Sequence, residues 1–114
     1  MNLDVEALFQ KMLSVGAASF GAEWSHVRVF APAEFKKLAI QLVDIADNVE
    51  RFEADPSEGF PPETAAVLLR MQRRAIEATL TAVTALTLIS IQNAFNAILK
   101  IIKDTFGGVL ATFL

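Results

Sequence analysis

The sequence has 114 residues, of which 54% are hydrophobic and 20% charged, and its formal net charge is −3 at pH 7. A chain of this length and hydrophobic content forms one ordered domain, not a disordered or low-complexity segment. The absence of cysteine excludes disulfide frameworks, thiolate nucleophiles and cysteine-based metal sites, and ten basic against thirteen acidic side chains argue against a nucleic-acid-binding face.

Glycine and proline divide the chain into three long segments, and the first of these has the pattern of an amphipathic helix. Either Asn2 or Asp4 is placed to cap its start, and apolar side chains recur at three- and four-residue steps as far as about Phe20. The following segment, 21–30, interleaves apolar residues such as Trp24 with polar ones. This pattern predicts an extended connector or a short strand.

The second helix is predicted from Pro32, which suits a first helical turn, to about Phe52. Its apolar stripe follows three- and four-residue spacing, the pattern of a helix packed lengthwise on another helix. The stripe consists of Phe35, Leu38, Leu42, Ile45, Val49 and Phe52. The run 54–62, rich in proline and glycine, is the strongest loop signal and separates the two halves of the chain.

Residues 63–106 contain neither glycine nor proline, which predicts one long apolar C-terminal helix. A straight helix of this length would measure about 66 Å, whereas a compact chain of this size has a radius of gyration of about 13 Å. Such a helix either bends or breaks, or it projects and is covered by another chain, and we favour projection. Its β-branched residues leave a strand as an alternative. Gly107 and Gly108 are expected to form a left-handed cap that lets the apolar tail, 109–114, dock back.

The long helix is predicted to have two unlike sides. The apolar side is the expected oligomer interface and consists of Leu80, Val83, Phe95, Ile98, Ile102, Phe106, Val109 and Phe113. The other side is a polar stripe that contains Thr81, Thr84, Gln92 and Asn96. Because a single short chain has too little surface to cover this apolar side, we expect a helical bundle completed by oligomerisation. The uncharged run 78–99 is also long enough to insert in or span a bilayer as part of a helix bundle or pore, which is the alternative.

A basic cluster of Arg70, Arg73 and Arg74 precedes the uncharged run. Residues 1–60 carry five basic and ten acidic side chains, whereas residues 61–114 carry five basic and three acidic ones. This complementarity predicts that the cluster pairs with the acidic face of the second helix, either within one chain or between copies.

The sequence lacks the patterns of catalytic and metal sites. His26 is the only histidine, so a two-histidine metal site cannot be assembled within one chain. Asp44 and Asp47 share one helix face, which we interpret as solvated acidic surface. Phosphate-binding loops, nucleotide fingerprints and zinc-protease motifs do not occur. We therefore expect no enzymatic activity, no cofactor and no metal.

These patterns together predict an all-α protein with a single helical domain, 1–114. An acidic two-helix head, 1–60, precedes a long helix with an apolar tail, 61–114. The expected function is that of a non-enzymatic structural or interaction protein that forms a homo-oligomer or binds a protein partner, without nucleic acid. Residues 1–20 lack a signal-peptide pattern, so we expect a cytoplasmic location, with the membrane as the alternative.

Overall fold

Five α-helices and two short 3₁₀ segments make up the fold of residues 3–114, the part of the chain that the computed structural model describes. The all-α prediction is confirmed, and no strand occurs within this range. The elements in chain order are α1 (Val5–Phe20), the first 3₁₀ segment (Gly21–Glu23), α2 (Trp24–Val27), α3 (Ala31–Ala54), α4 (Pro62–Thr84), α5 (Leu88–Phe106) and the second 3₁₀ segment (Gly108–Thr112). The four long helices pack together as a bundle.

Helix α1 begins and ends where the sequence predicts. Its N-cap is Asp4, whose Oδ1 accepts a hydrogen bond from the backbone N–H of Glu6 at 3.2 Å. The other candidate cap, Asn2, lies outside the described residues. The residues that α1 buries recur every fourth position and therefore form one inward stripe. They are Leu8, Met12, Gly16 and Phe20.

The connector 21–30 is helical, and the prediction of an extended segment or strand is wrong. Gly21 ends α1 with a φ of 62°, and the chain then forms the first 3₁₀ segment and α2. Trp24 packs against the rings of Phe20 and Phe35, with centroid separations of 6.1 and 6.3 Å, and Val27, three residues later, is fully buried. This three-residue spacing places both apolar side chains on the inner face of one helical turn, which an extended chain would not do.

Helix α3 confirms the predicted second helix, with Pro32 in its first turn. Its inward stripe is fully or almost fully buried through Val49. The loop after it is held by the backbone N–H of Phe60, which donates to the carbonyl of Asn48. Gly59 makes this approach possible, because its φ is 60° and a Cβ there would lie 2.0 Å from the Asn48 carbonyl oxygen.

The predicted single long helix is instead two helices, α4 and α5, joined at residues 85–87. Ala85 adopts left-handed backbone angles (φ 60°, ψ 14°), and the hydroxyl of Thr84 accepts a hydrogen bond from the N–H of Leu86. Thr87 then caps α5, because its hydroxyl accepts from the N–H of Ser90 at 3.2 Å. The expectation of a projecting helix is therefore wrong, and the chain folds back into a helical hairpin.

The apolar tail docks on the bundle, as predicted. Gly107 ends α5 with a positive φ of 54°, and its N–H donates to the carbonyl of Lys103. Its ψ of −137° differs from that of the predicted left-handed cap, but the chain still reverses there. Leu110 is fully buried, and Val109 and Phe113 are 7% exposed. The tail thus completes the core at one end of the hairpin.

The centre of the core is aromatic. Phe95 on α5 meets Phe35 on α3 and Phe20 on α1 edge to face, with centroid separations of 5.8 and 6.2 Å. Such geometry adds attraction beyond the burial of area. Three helices are thereby fixed to one another, and the described chain measures 45 × 22 × 19 Å.

Candidate functional site

The residues predicted to form an oligomer interface lie mainly inside the chain. Four of them are fully buried in the core: Leu80, Phe95, Ile98 and Ile102. Val109 and Phe113 are each 7% exposed, and Phe106 packs against the core. The hairpin accounts for this placement, because it brings α5 against α1 in the same chain. Val83 is the only one of the eight predicted residues that is exposed, at 46%.

The predicted polar stripe lies partly along the seam between α4 and α5. The hydroxyls of Thr81 and Thr84 donate to carbonyls within their own helix, those of Glu77 and Leu80. On α5, the backbone carbonyl of Gln92 and the Oδ1 of Asn96 accept hydrogen bonds from Arg73 on α4. The side chains of Thr81, Thr84 and Asn96 therefore form hydrogen bonds within one hairpin. The break at residues 85–87 divides the predicted stripe between two helices.

Arg73 is the residue that links the two helices of the hairpin. Its Nε donates to Glu77 Oε2 at 2.7 Å, and its Nη2 donates to the carbonyl of Gln92 at 2.9 Å and to Oδ1 of Asn96. Glu77 is only 2% exposed. A carboxylate buried to this degree is stable only when its charge is compensated, which the guanidinium does here.

Within one chain, the basic cluster does not pair with α3, so the intrachain prediction is wrong, whereas pairing between copies stays a prediction. Arg73 finds its acid on its own helix, and Arg70 and Arg74 are exposed, with no ion pair to any residue in the range 3–114. The reason is geometric, since α5 and the tail lie on the side of α4 to which Arg70 and Arg73 point. The positive charges of Arg70 and Arg74 are therefore available at the surface.

A groove of about 410 Å³ lies where α4, α5 and the tail meet, and we call it the basic groove. Its cationic lining consists of Arg70, Arg73, Lys100 and Lys103, and its apolar lining of Ala66, Leu69, Leu99, Phe113 and Leu114. Asn96 is its remaining lining residue, so no acidic side chain of the described chain takes part. An apolar surface bordered by cations attracts an anion that carries an apolar part.

A second surface, the end patch, lies at the opposite end of the hairpin. It comprises the exposed apolar residues Val29 (75%), Phe30 (37%), Val83 (46%), Leu88 (44%) and Ile89 (69%). The antiparallel packing of α3 and α4 places Phe30 and Val83 at the same end of the bundle, because Glu34 and Lys37 border the same cleft as Ile76 and Thr79. One turn further along, Phe30 comes level with Val83, beside the start of α5, and α2 also packs on α4.

The ion pair between Glu6 and Lys36 ties α1 to α3 at the surface, at 2.8 Å. Hydrogen bonds from Gln10 and Lys36 hold the pKa of the Glu6 carboxyl below its ordinary value. Since the folded state favours the carboxylate, this contribution is present above the unfolded pKa and is lost as the pH falls through the folded one. Asp55 has a lowered pKa because the backbone and hydroxyl of Ser57 donate to it.

His26, Asp44 and Asp47 are exposed side chains. Among residues 3–114 there is no group of three or more metal-ligating side chains that could hold an ion. The two aspartates remain what the sequence suggested, an acidic surface on α3.

Both surfaces depend on the hairpin, so the sequence alone does not predict them. The sequence predicts roles for Val83 and Arg70, but it does not predict the exposure of Leu88 and Ile89 or the groove that Lys100 shares with the tail. The available signal was Thr87 directly before an apolar helical run, because threonine is a common N-cap, but it lies inside a segment interpreted as continuous.

None of the helices in the described range is both long enough and apolar enough for a membrane span, and the run 78–99 is divided between α4 and α5. Comparison of the chain with protein-family models, with curated proteins and with solved structures gives no match.

Proposed function

We propose that this protein is a non-enzymatic interaction protein that associates with a second copy of itself through the end patch. The observation that carries the proposal is the exposure of five large apolar side chains at one end of the bundle. Scattered exposed apolar residues are ordinary, whereas a group at one place on a surface is typical of an interaction site.

The charge distribution favours a second copy as the occupant. Residues 78–99 carry no formal charge, so the α4–α5 side of the patch presents apolar groups without charged neighbours on its own helices. On that side, two copies can therefore meet without opposing like charges, and depletion of charge is typical of the centre of an interface. A contact of the patch with itself closes as a two-fold dimer.

The test is light-scattering mass after gel filtration, over a range of protein concentrations and without detergent. We expect the wild-type protein to approach twice 12.4 kDa as the concentration rises. Ile89→Asp should remain at the mass of one chain, because it places a charge in the patch. The variant should still fold, since Ile89 lies in the first turn of α5, where a carboxylate is favourable.

Met71→Asp is the matched control, because Met71 is 61% exposed and lies outside the patch. It should dimerise like the wild-type protein. A wild-type mass of one chain at every concentration, or an Ile89→Asp variant that dimerises normally, would contradict the proposal. Flotation of the monomeric protein with lipid vesicles, abolished by Ile89→Asp, would assign the patch to a membrane surface instead.

A further inference from the structure

The basic groove is separate from the end patch, and its shape suggests a small ligand. Its lining on α4 runs from Ala66 to Arg73, about 10 Å at 1.5 Å per residue. A helix is itself about 10–12 Å across, so the groove is only about as long as a partner helix is wide. The volume of about 410 Å³ lies in the range of roughly 300–1,000 Å³ that is usual for small-molecule clefts.

The positive charges in the groove favour a ligand with an anionic head group. Arg73 is already compensated by Glu77, but Arg70, Lys100 and Lys103 have no acidic partner among residues 3–114. All three are exposed and come from both helices of the hairpin. A guanidinium and two ammonium groups that converge from two helices can hold one carboxylate with charge-assisted hydrogen bonds.

The apolar lining of the groove favours a ligand in which a hydrocarbon chain is attached to that head group. Leu69, Leu99 and Phe113 come from α4, α5 and the tail and are each about 6–7% exposed, so they form a packed floor and not a set of mobile side chains. An acyl chain laid on this floor would cover its remaining apolar surface.

We propose that the basic groove binds a single-chain anionic amphiphile, a free long-chain fatty acid, with its carboxylate between Arg70, Lys100 and Lys103. The hydrocarbon chain lies on Leu69, Leu99 and Phe113. This proposal rests on a different surface from the self-association through the end patch, and either can fail without the other.

The test is a titration of the full chain with sodium dodecanoate below its micellar concentration, followed by calorimetry and by amide-resolved NMR. We expect one dodecanoate per chain, with shifts concentrated in 66–73, 96–103 and the tail. Because each buried methylene contributes about 0.8 kcal/mol, or roughly fourfold in affinity, butanoate should bind at least about tenfold more weakly even if only part of the chain is covered.

The double variant Arg70→Gln/Lys100→Gln should lower the dodecanoate affinity by about tenfold or more, since it removes charge-assisted bonds. Both side chains are exposed, so its circular dichroism should match that of the wild-type protein. Arg74→Gln is the matched control, because Arg74 is an exposed arginine on the same helix that does not line the groove. It should bind within about twofold of the wild-type protein.

Four results would overturn the proposal. They are the absence of saturable dodecanoate binding, equal affinity for the double variant, inorganic phosphate binding as tightly as dodecanoate, and binding only to phosphatidylglycerol vesicles. Phosphate binding would indicate a site for the anion alone, and vesicle binding would indicate a membrane surface.

Discussion

At the scale of single residues, the ion pair of Arg73 and Glu77 lies beside the basic groove, and Arg73 also links α4 to α5. The pair buries one carboxylate to 2% exposure and leaves Arg73 at 21%, with three acceptors on two helices. A buried pair of this kind adds little over an apolar pair of the same size, but the loss of one partner leaves the other charge uncompensated.

Glu77→Gln should therefore destabilise the protein by about 2–3 kcal/mol, because the neutral amide cannot compensate the guanidinium. Denaturation by urea, followed by circular dichroism, measures the loss. The matched control is Glu6→Gln, which breaks the exposed pair with Lys36 and should leave the free energy of unfolding almost unchanged. Equal stability of Glu77→Gln and the wild-type protein would show that the buried pair contributes nothing to the free energy of unfolding.

At the scale of elements, the turn at residues 85–87 decides the architecture. Two threonines flank it, since the hydroxyl of Thr84 accepts from the N–H of Leu86 within the turn and Thr87 caps the next helix. Ala85 between them adopts a left-handed conformation that costs a residue with a Cβ roughly 1–2 kcal/mol. The two threonines and the packing of both helices therefore specify the turn, although alanine disfavours the left-handed conformation that Ala85 adopts.

Ala85→Gly should stabilise the protein by about 0.5–1 kcal/mol, because glycine relieves the left-handed strain by more than its extra unfolded entropy costs. Ala78→Gly, at an exposed position within α4, is the matched control and should destabilise by about 1 kcal/mol. The measurement is the shift in thermal unfolding midpoint for each variant. Shifts in the same direction would be inconsistent with a left-handed Ala85.

At the scale of the whole molecule, the chain covers its own apolar surface to a greater extent than its length suggests. The radius of gyration is 14.2 Å, close to the value of about 13 Å for a compact chain of this size. Folding back at residues 85–87 places α5 and the tail over α1 and α3, and this leaves two surfaces, one basic and one apolar, at opposite ends of the hairpin.

Phe95→Ala should reduce the stability of the fold itself, by about 3–5 kcal/mol, because it removes a fully buried ring that packs on Phe20 and Phe35. Urea denaturation should show the loss, and Met71→Ala, at an exposed position, should show almost none. A Phe95→Ala variant that keeps the wild-type stability but dissociates would indicate that Phe95 lies in an interface between copies.

The sequence by itself determined the class of the fold and the limits of α1 and α3, because helical periodicity and capping are local properties of ten to twenty residues. It also determined that the tail docks, since Gly107 precedes an apolar segment. It did not determine where residues 63–106 turn, because Ala85 has no intrinsic preference for the left-handed conformation that packing imposes on it. The tertiary structure alone decided that Phe95 and Ile98 face inward, that Arg70 and Lys100 meet at one groove, and that Phe30 and Val83 share one end. Each of these depends on which helices become neighbours, and burial in the assembled core, not the local sequence, selects those neighbours.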